Sequence, residues 1–227
     1  TPTPAPQKTL TICLGDEPAS LYLYANLGAS ARSVLSAIYD GPIDSNSYAY
    51  QPVILKELPS LENGKALLET VMVREGDRVV DSNGLPVTLT AGMDILPTGC
   101  TSEDCAVTYD GLTDIQMDQM VVTFDLLPGL TWSDGEPLTA DDSVFSFELA
   151  SSPETTASRY LVDRTLSYEA IDDLTVQWWG RPGYIDPEYF TNFWTPAPRH
   201  AWKDFTAAEL PTLDAAARYP LGWGPYV

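Results

Sequence analysis

The stretch Leu130–Ser151, LTWSDGEPLTADDSVFSFELAS, constrains the fold more than any other part of the chain. Just before it, in Asp118–Leu127, Met120, Val122, Phe124 and Leu126 alternate with Val121, Thr123, Asp125 and Leu127. Period two with β-branched residues predicts a strand with one buried face. Asp134-Gly135 is a turn signal, because Gly accepts positive φ and Asp can bond its own backbone. Pro137 holds the chain extended up to Thr139, which is placed to cap a helix. Asp142 then occupies the reciprocal position of a capping box. Asp141 and Asp142 fall in the first turn, where the helix dipole favours negative charge. Val144, Phe145, Glu148 and Leu149 follow at helical spacing, so a helix is expected from about Ala140 to Ala150.

A chain of 227 residues can bury a real core as one large domain or two small ones. Its charge excludes some partners. Twelve basic against 32 acidic residues leave a net charge of −20, which makes nucleic acid and anionic membrane surfaces poor partners. A cationic ligand is permitted, although a solvated acidic surface accounts for the same charge. No apolar run approaches the roughly 20 residues of a membrane span. Thr1–Gln7 (TPTPAPQ) reads as a Thr/Pro tether that cannot pack. Such a tether commonly follows a removed signal or a lipid-anchored Cys.

Cys100 and Cys105 bracket Thr-Ser-Glu-Asp, a polar turn short enough for a disulfide across a hairpin. Two free thiols, or half of a metal site, are the alternatives. With one His in the chain and no C-x-x-C, no metal site is expected. Cys13 lies in Lys8–Gly15, which reads as a buried strand, and is expected to be a buried thiol. Ser30–Tyr39 places Val34, Leu35, Ile38 and Tyr39 on one stripe behind a Ser cap, a short amphipathic helix ended by Asp40–Ile43. Tyr48–Leu58 and Glu69–Val80 read as strands. Asn83-Gly84 signals a hairpin turn, with short strands at Val87–Ala91 and Ala106–Asp110. Tyr160–Ala170 fits either helix or strand. Asp172-Asp173 precedes a strand at Leu174–Trp179. Asp186–Trp194, Thr206–Leu210 and Thr212–Arg218 are expected to be helical.

The strand–turn–helix stretch also resembles the signature of the peptide/nickel class of ABC-transporter substrate-binding proteins, solute-binding family 5. That pattern is roughly F-x-L-R-x-G-x-x-W-x-D-G-x-P-L-T-A-x-D-V-x-F-S. Leu127-Pro128 departs from its Leu-Arg and Ser143 from its Val. Downstream, Tyr168–Trp178 resembles the family's V-E-A-x-D-D-x-T-V strand, and Pro196–His200 its I-L-P-K-H. Pro220–Val227 resembles P-x-G-T-G-P-Y, with Trp223 in place of the Thr.

The resemblance implies an α+β fold: the first lobe of a two-lobe periplasmic-binding-protein-like architecture, with a mixed sheet and an inserted β-rich subdomain. It assigns 8–44 and 167–227 to the first lobe, 45–166 to the insertion, and a second lobe to sequence beyond 227. Gly76–Gln116 would elaborate the insertion. Asp16–Asn26 is similar to the family's opening x-x-E-P-x-S-L-D-P, making Glu17, Ser20, Leu21 and Tyr22 candidates to face a ligand. Tyr39, Asp40 and Gly41 correspond to the first cleft edge, and Trp223 joins them. Gly222, Gly224, Pro225 and Tyr226 resemble the crossover to the second lobe and are candidate hinge residues.

Three classes of function compete. An enzyme has little support: G-x-S-x-G, a phosphate-cradling Gly loop and H-E-x-x-H are missing, and His200 matches a structural Lys-His of the family. No catalytic residue and no cofactor is expected. The pairs Asp141-Asp142 and Asp172-Asp173 lack the alternate-residue spacing of calcium ligands. An acidic, non-catalytic extracellular adhesion or interaction module is supported by charge, tether and strands. The resemblance favours the third: a monomeric extracytoplasmic solute-binding component of an ABC importer, lipid-anchored through the tether. It would hand a peptide-like or other small solute to a membrane permease.

Overall fold

The computed structural model describes residues 11 and 13–226. The expected tether therefore lies outside the described residues, as does much of the strand expected at Lys8–Gly15. Thr11, Cys13, Leu14 and Gly15 of that strand are described; all are exposed and none is in a strand. Cys13 is accordingly an exposed free thiol and not a buried one, since none of the described residues covers it.

In chain order the elements are α1 (Ala29–Ile38), β1 (Ile43–Asn46), β2 (Ala49–Pro52), β3 (Ala66–Val73), β4 (Arg78–Val80), β5 (Pro86–Thr88), β6 (Asp94–Ile95), β7 (Val107–Thr108), β8 (Ile115–Asp125), α2 (Ala140–Ser151), α3 (Tyr160–Arg164), β9 (Thr165–Asp172), β10 (Thr175–Gly180), α4 (Arg199–Trp202) and α5 (Asp214–Ala217). The main sheet has the order β3-β8-β10-β9, with three two-stranded hairpins, β1-β2, β4-β5 and β6-β7, around it. Every pairing among the described residues is antiparallel. No parallel pair of the expected mixed sheet falls within them.

The long central strand β8 serves two cores. On one face Met120, Val122, Phe124 and, just past the strand, Leu126 are at most 2% exposed, as the alternation predicts. They join Trp132, Leu138, Val176 and Trp178 in the main core. Nearer its start the strand buries the other face: Met117 packs with Val73, Val79, Leu89, Ile95 and Tyr109 in a smaller core. Fully burying an aliphatic or aromatic side chain contributes about 1.5–3 kcal/mol. The hairpins β4-β5 and β6-β7 close over that smaller core. Asp81 Oδ1 accepts from the N–H groups of Asn83 and Leu85 and shapes the Asn-Gly turn. Cys100 and Cys105, between β6 and β7, sit with their sulfurs at bonding distance and their Cα atoms 5.7 Å apart.

Helix α2 lies against β9 and β10. Its buried face is Asp142, Phe145, Ser146, Leu149 and Ala150, with Ser143 alongside. Of the four residues whose spacing predicts this helix, Phe145 and Leu149 are buried, Val144 is half-buried and Glu148 is exposed. Ser143 is held inside by Tyr168 Oη at 2.7 Å and the Trp194 carbonyl at 2.6 Å. A helix that buries satisfied hydroxyls has no clean apolar stripe to read.

Other departures have local causes. Helix α1 is preceded by Gly28, not capped by Ser30, because the Ser30 hydroxyl donates to Asp16 Oδ1 at 2.6 Å. The strand expected over Tyr48–Leu58 stops at Pro52, which has no N–H to extend a ladder. Glu69–Val80 is two strands, β3 and β4, parted by a turn in which Asp77 Oδ2 accepts the Arg74 N–H. Tyr160–Ala170 is half helix, half strand. Asp186–Trp194 is not a helix but holds only a 3-10 turn, Tyr189–Thr191. There Asp186 spends its carboxylate on Tyr184 Oη, Asn192 Nδ2 and the Glu188 N–H, which compete with helical bonding. In Thr206–Leu210, likewise, Glu209 Oε2 takes both the N–H and the hydroxyl of Thr206 in a turn.

Candidate functional site

Separated stretches meet at one junction, and Asp142 is the acid that ties Trp132, the start of α2 and the start of α4 within it. Trp132 is buried at 1% exposure directly before the Asp-Gly turn. Gly135, at φ 94°, donates to the Trp132 carbonyl, and Trp132 N–H to the Glu136 carbonyl. This tight turn points the indole inward, where its Nε1–H donates to Asp142 Oδ2 at 3.2 Å. The same oxygen accepts the Thr139 N–H at 2.9 Å, so the acidic half of the capping box forms. The other oxygen accepts the Arg199 N–H at 3.0 Å and so fixes the start of α4. Burial pushes the Asp142 pKa up from the ordinary carboxylate value, against the pull of these three N–H donors. A second tie joins the same stretches: His200 Nε2 lies 2.9 Å from Asp134 Oδ2, and this contact holds the Asp134 pKa below its usual value.

The segment around Trp223 completes the junction. Ser133 N–H donates to the Gly222 carbonyl at 2.8 Å, and Gly224 N–H to the Ile38 carbonyl at 2.7 Å. A Cβ on Gly222 would lie 2.4 Å from the Ile38 carbonyl oxygen, and one on Gly224 2.6 Å from it. These glycines allow close approach to the end of α1. Trp223 stacks on Tyr39 with ring centres 4.8 Å apart and meets Trp132 edge-on at 5.3 Å. Its Nε1–H donates to the Asp40 carbonyl at 2.9 Å. Tyr39, Asp40, Gly41 and Trp223 are therefore brought together. Asp40 is exposed and Gly41 and Trp223 half-buried. Tyr39, at 5% exposure and with an unpartnered hydroxyl, lies beneath them. Pro225 and Tyr226 are exposed at the end of the described chain.

The other group divides. Glu17 is exposed, Ser20 turns its hydroxyl back to the Tyr22 N–H at 3.1 Å, and Leu21 N–H donates to the Ala217 carbonyl at 2.8 Å. Tyr22 is no surface aromatic. It is 2% exposed in a core with Phe145, Leu149, Trp202 and Leu210, and burial raises its pKa to about 12. Tyr22 and Tyr39 are thus covered, and Trp223 alone of these three rings reaches solvent.

A concave surface lies further along the same loop. Tyr24, Asn26, Leu27 and Arg32 border an open hollow of about 470 Å³, closed on its far side by Thr156 and Ala157. Tyr24 also borders a second hollow, of about 220 Å³, with Leu23, Leu161, Phe193 and Trp194. Tyr24 Oη is pinned by Ser146, at 2.8 Å from its carbonyl and 2.6 Å from its hydroxyl. These residues lie past the candidates read from sequence; the one available signal was the Tyr-Leu-Tyr run, in which Tyr22 and Tyr24 both belong to the loop after the expected strand. Among the described residues no group of three or more His, Cys, Asp and Glu side chains is placed to hold a metal.

Comparison with known proteins places this arrangement. Among curated proteins no match was found. In structure the chain is similar to an oligopeptide-binding protein from Thermus thermophilus, at 19% identity and a TM-score of 0.51, over 81% of this chain and 24% of that one. It is also similar to the Escherichia coli murein tripeptide binding protein MppA, at 17% and 0.52, over 94% and 34%. A third similar structure is the Listeria monocytogenes substrate-binding protein CtaP, at 19% and 0.50, over 94% and 32%. The chain thus spans between a quarter and a third of the length of these structures, and its fold is that of a portion of a periplasmic binding protein. The profile of the bacterial extracellular solute-binding proteins, family 5 (middle region), matches residues 107–227, which carry the W-S-D-G turn, α2, the Pro-Arg-His start of α4 and the Gly-Trp-Gly segment; the chain belongs to that family.

Proposed function

We propose that this chain is the first part of the solute-capturing component of an ABC importer, working outside the cytoplasm. A peptide-like or other small solute is held between two lobes and passed to a membrane permease. The observation that carries the reading is the junction itself. The motifs of a solute-binding family hold the end of α1 against Gly222–Gly224 and set Asp40, Gly41 and Trp223 side by side at one edge. Two structurally similar proteins are described with a pentapeptide and as a murein tripeptide binder, which favours peptides as the first solutes to try.

The residues proposed to face solute are Glu17, Ser20 and Leu21, together with Asp40, Gly41 and Trp223; Tyr39 supports Trp223 from below, and Tyr22 supports the first loop. To these we add Tyr24, Asn26 and Arg32, on the strength of the hollow they border. Gly222–Tyr226 is proposed as the exit to a second lobe. We also propose lipid anchoring through Thr1–Gln7, a monomer, a bridge between Cys100 and Cys105, and no catalytic step. The lobe division is part of the same proposal. Ties between Leu21 and Ala217 and between Ile38 and Gly224 support a lobe made of both chain ends. The border at 166/167 falls inside β9, whose sheet takes β3 and β8 from the other side.

Native mass spectrometry of the whole protein, incubated with mixed short peptides and oligosaccharides, tests the reading. One retained small solute per chain is expected. A protein that retains none, yet adheres to immobilised extracellular polymers, would establish the adhesion module instead.

A further inference from the structure

Basic residues are scarce in this chain, 12 against 32 acidic ones, yet three arginines far apart in sequence converge. Arg181 follows β10, Arg164 ends α3 and Arg78 opens β4. The Arg181 N–H donates to the Arg164 carbonyl at 2.8 Å, and the Val80 N–H to the Pro182 carbonyl at 2.9 Å. Arg164 reaches the β4-β5 turn, where Nη2 donates to the Gly84 carbonyl at 2.6 Å. Arg164 is held further by the Tyr160 ring, 3.9 Å below its guanidinium.

Arg181 has no such support. It is 5% exposed, and its Nε is buried without an acceptor. The ion pairs among the described residues include none of the three arginines. Burial and the charges of Arg78 and Arg164 hold the Arg181 pKa below the ordinary arginine value. Asp163 is the one acid acting on it, and Asp163 Oδ1 already takes a bond from Arg159 at 3.1 Å. A guanidinium 5% exposed, without an ion pair among the described residues and beside two more cations, is unfavourable unless an anion shares the site.

We propose that Arg181, with Arg164 and Arg78 around it, binds a small oxyanion, phosphate or carboxylate, through the planar donor fork of its guanidinium. Such a fork bonds two oxygens of one anion at once, which a point charge like Lys does not do. The site lies where β4, α3 and the end of β10 meet, in a region to which the proposed solute function assigns no role. It is independent of that function.

The test is thermal unfolding of the full chain in rising inorganic phosphate or succinate, with sodium chloride at matched ionic strength as the reference. A saturable rise in Tm with one of the two anions, beyond that with chloride, is expected. Phosphate alone, or succinate alone, then identifies the anion. Arg181→Met should weaken that anion's apparent affinity by about tenfold or more, the worth of one charge-assisted bidentate contact. Arg78→Gln, on an exposed strand position, should weaken it by about threefold through loss of a neighbouring charge. It decides the matter if Arg181→Met does not fold. Responses no larger than chloride gives, or responses unchanged in Arg181→Met, or in Arg78→Gln where that variant decides, would overturn the site.

Discussion

Replacing Asp142 by Ala removes one acceptor group from three N–H donors and leaves α2 otherwise intact. Two of those donors, Thr139 N–H and Arg199 N–H, are partly buried, and their loss costs about 1 kcal/mol each, since water reaches them. The third, Trp132 Nε1–H, is buried in the core and is left without an acceptor, which costs about 1–3 kcal/mol. The total is about 3–5 kcal/mol, a large part of a domain's stability. Asp142→Asn keeps one carbonyl oxygen but turns an NH₂ toward at least one donor, so about half of that loss is expected. Thr139→Ala should cost about 1 kcal/mol, the usual worth of a capping hydroxyl. Urea unfolding of the three variants, followed by tryptophan fluorescence, gives the order Asp142→Ala, Asp142→Asn, Thr139→Ala from worst to mildest. An Asp142→Ala midpoint equal to that of Thr139→Ala would refute the view that Asp142 ties Trp132, Thr139 and Arg199 together.

Further expectations concern pH, backbone contact and the cysteines. The Asp134 pKa is lowered by His200, so its contribution is present above the unfolded value near 3.8 and is lost as pH falls through the folded one; His200→Ala should shrink that acid loss in pH-dependent melts. Asp142, raised by burial, acts in the opposite sense: its contribution is complete below the unfolded value and declines as pH rises through the folded one, so Asp142→Asn should flatten stability across that window. Gly222→Ala drives a Cβ against the Ile38 carbonyl and should cost about 2 kcal/mol or more, while Gly15→Ala, with open space around it, should be neutral in the same melts. Mass spectrometry of a non-reduced digest should find Cys100 linked to Cys105, and reduction should cost about 2 kcal/mol by loop-closure entropy; two alkylatable thiols would exclude the bridge.

The legible parts of this fold are those in which each residue serves one purpose. At the end of β8 and just past it, hydrophobic alternation and burial coincide from Val122 to Leu126, and the Asp-Gly and Asn-Gly turns form where their side chains demand. Legibility failed where polar groups were spent locally. Ser30 gave its hydroxyl to Asp16, Asp186 unwound an aromatic helix, and Ser143 and Ser146 took interior positions on α2 that an apolar-stripe reading assigns to the surface. At the site, resemblance named the neighbourhood and packing chose the members. Tyr22 and Tyr39 face inward because their rings cover Trp202 and Trp223. Tyr24, two residues from Tyr22, borders the hollow. That division follows from long-range contacts to α4 and to the segment around Trp223, which no local pattern encodes. Arg181 was silent for the same reason, since its neighbours Arg78 and Arg164 are distant in sequence.

The central claim is that these 227 residues supply one side of a solute cleft. Small-molecule sites usually bury roughly 70–90% of a ligand's surface, and one wall cannot do so. Titration calorimetry of one peptide library against the whole protein and against this isolated 227-residue chain compares the two directly. Micromolar or tighter 1:1 binding is expected of the whole protein and, for the isolated chain, affinity weaker by about a hundredfold or more, equivalent to losing about 2.7 kcal/mol of contacts. Equal affinities would contradict it, because the site would then be complete within Thr1–Val227.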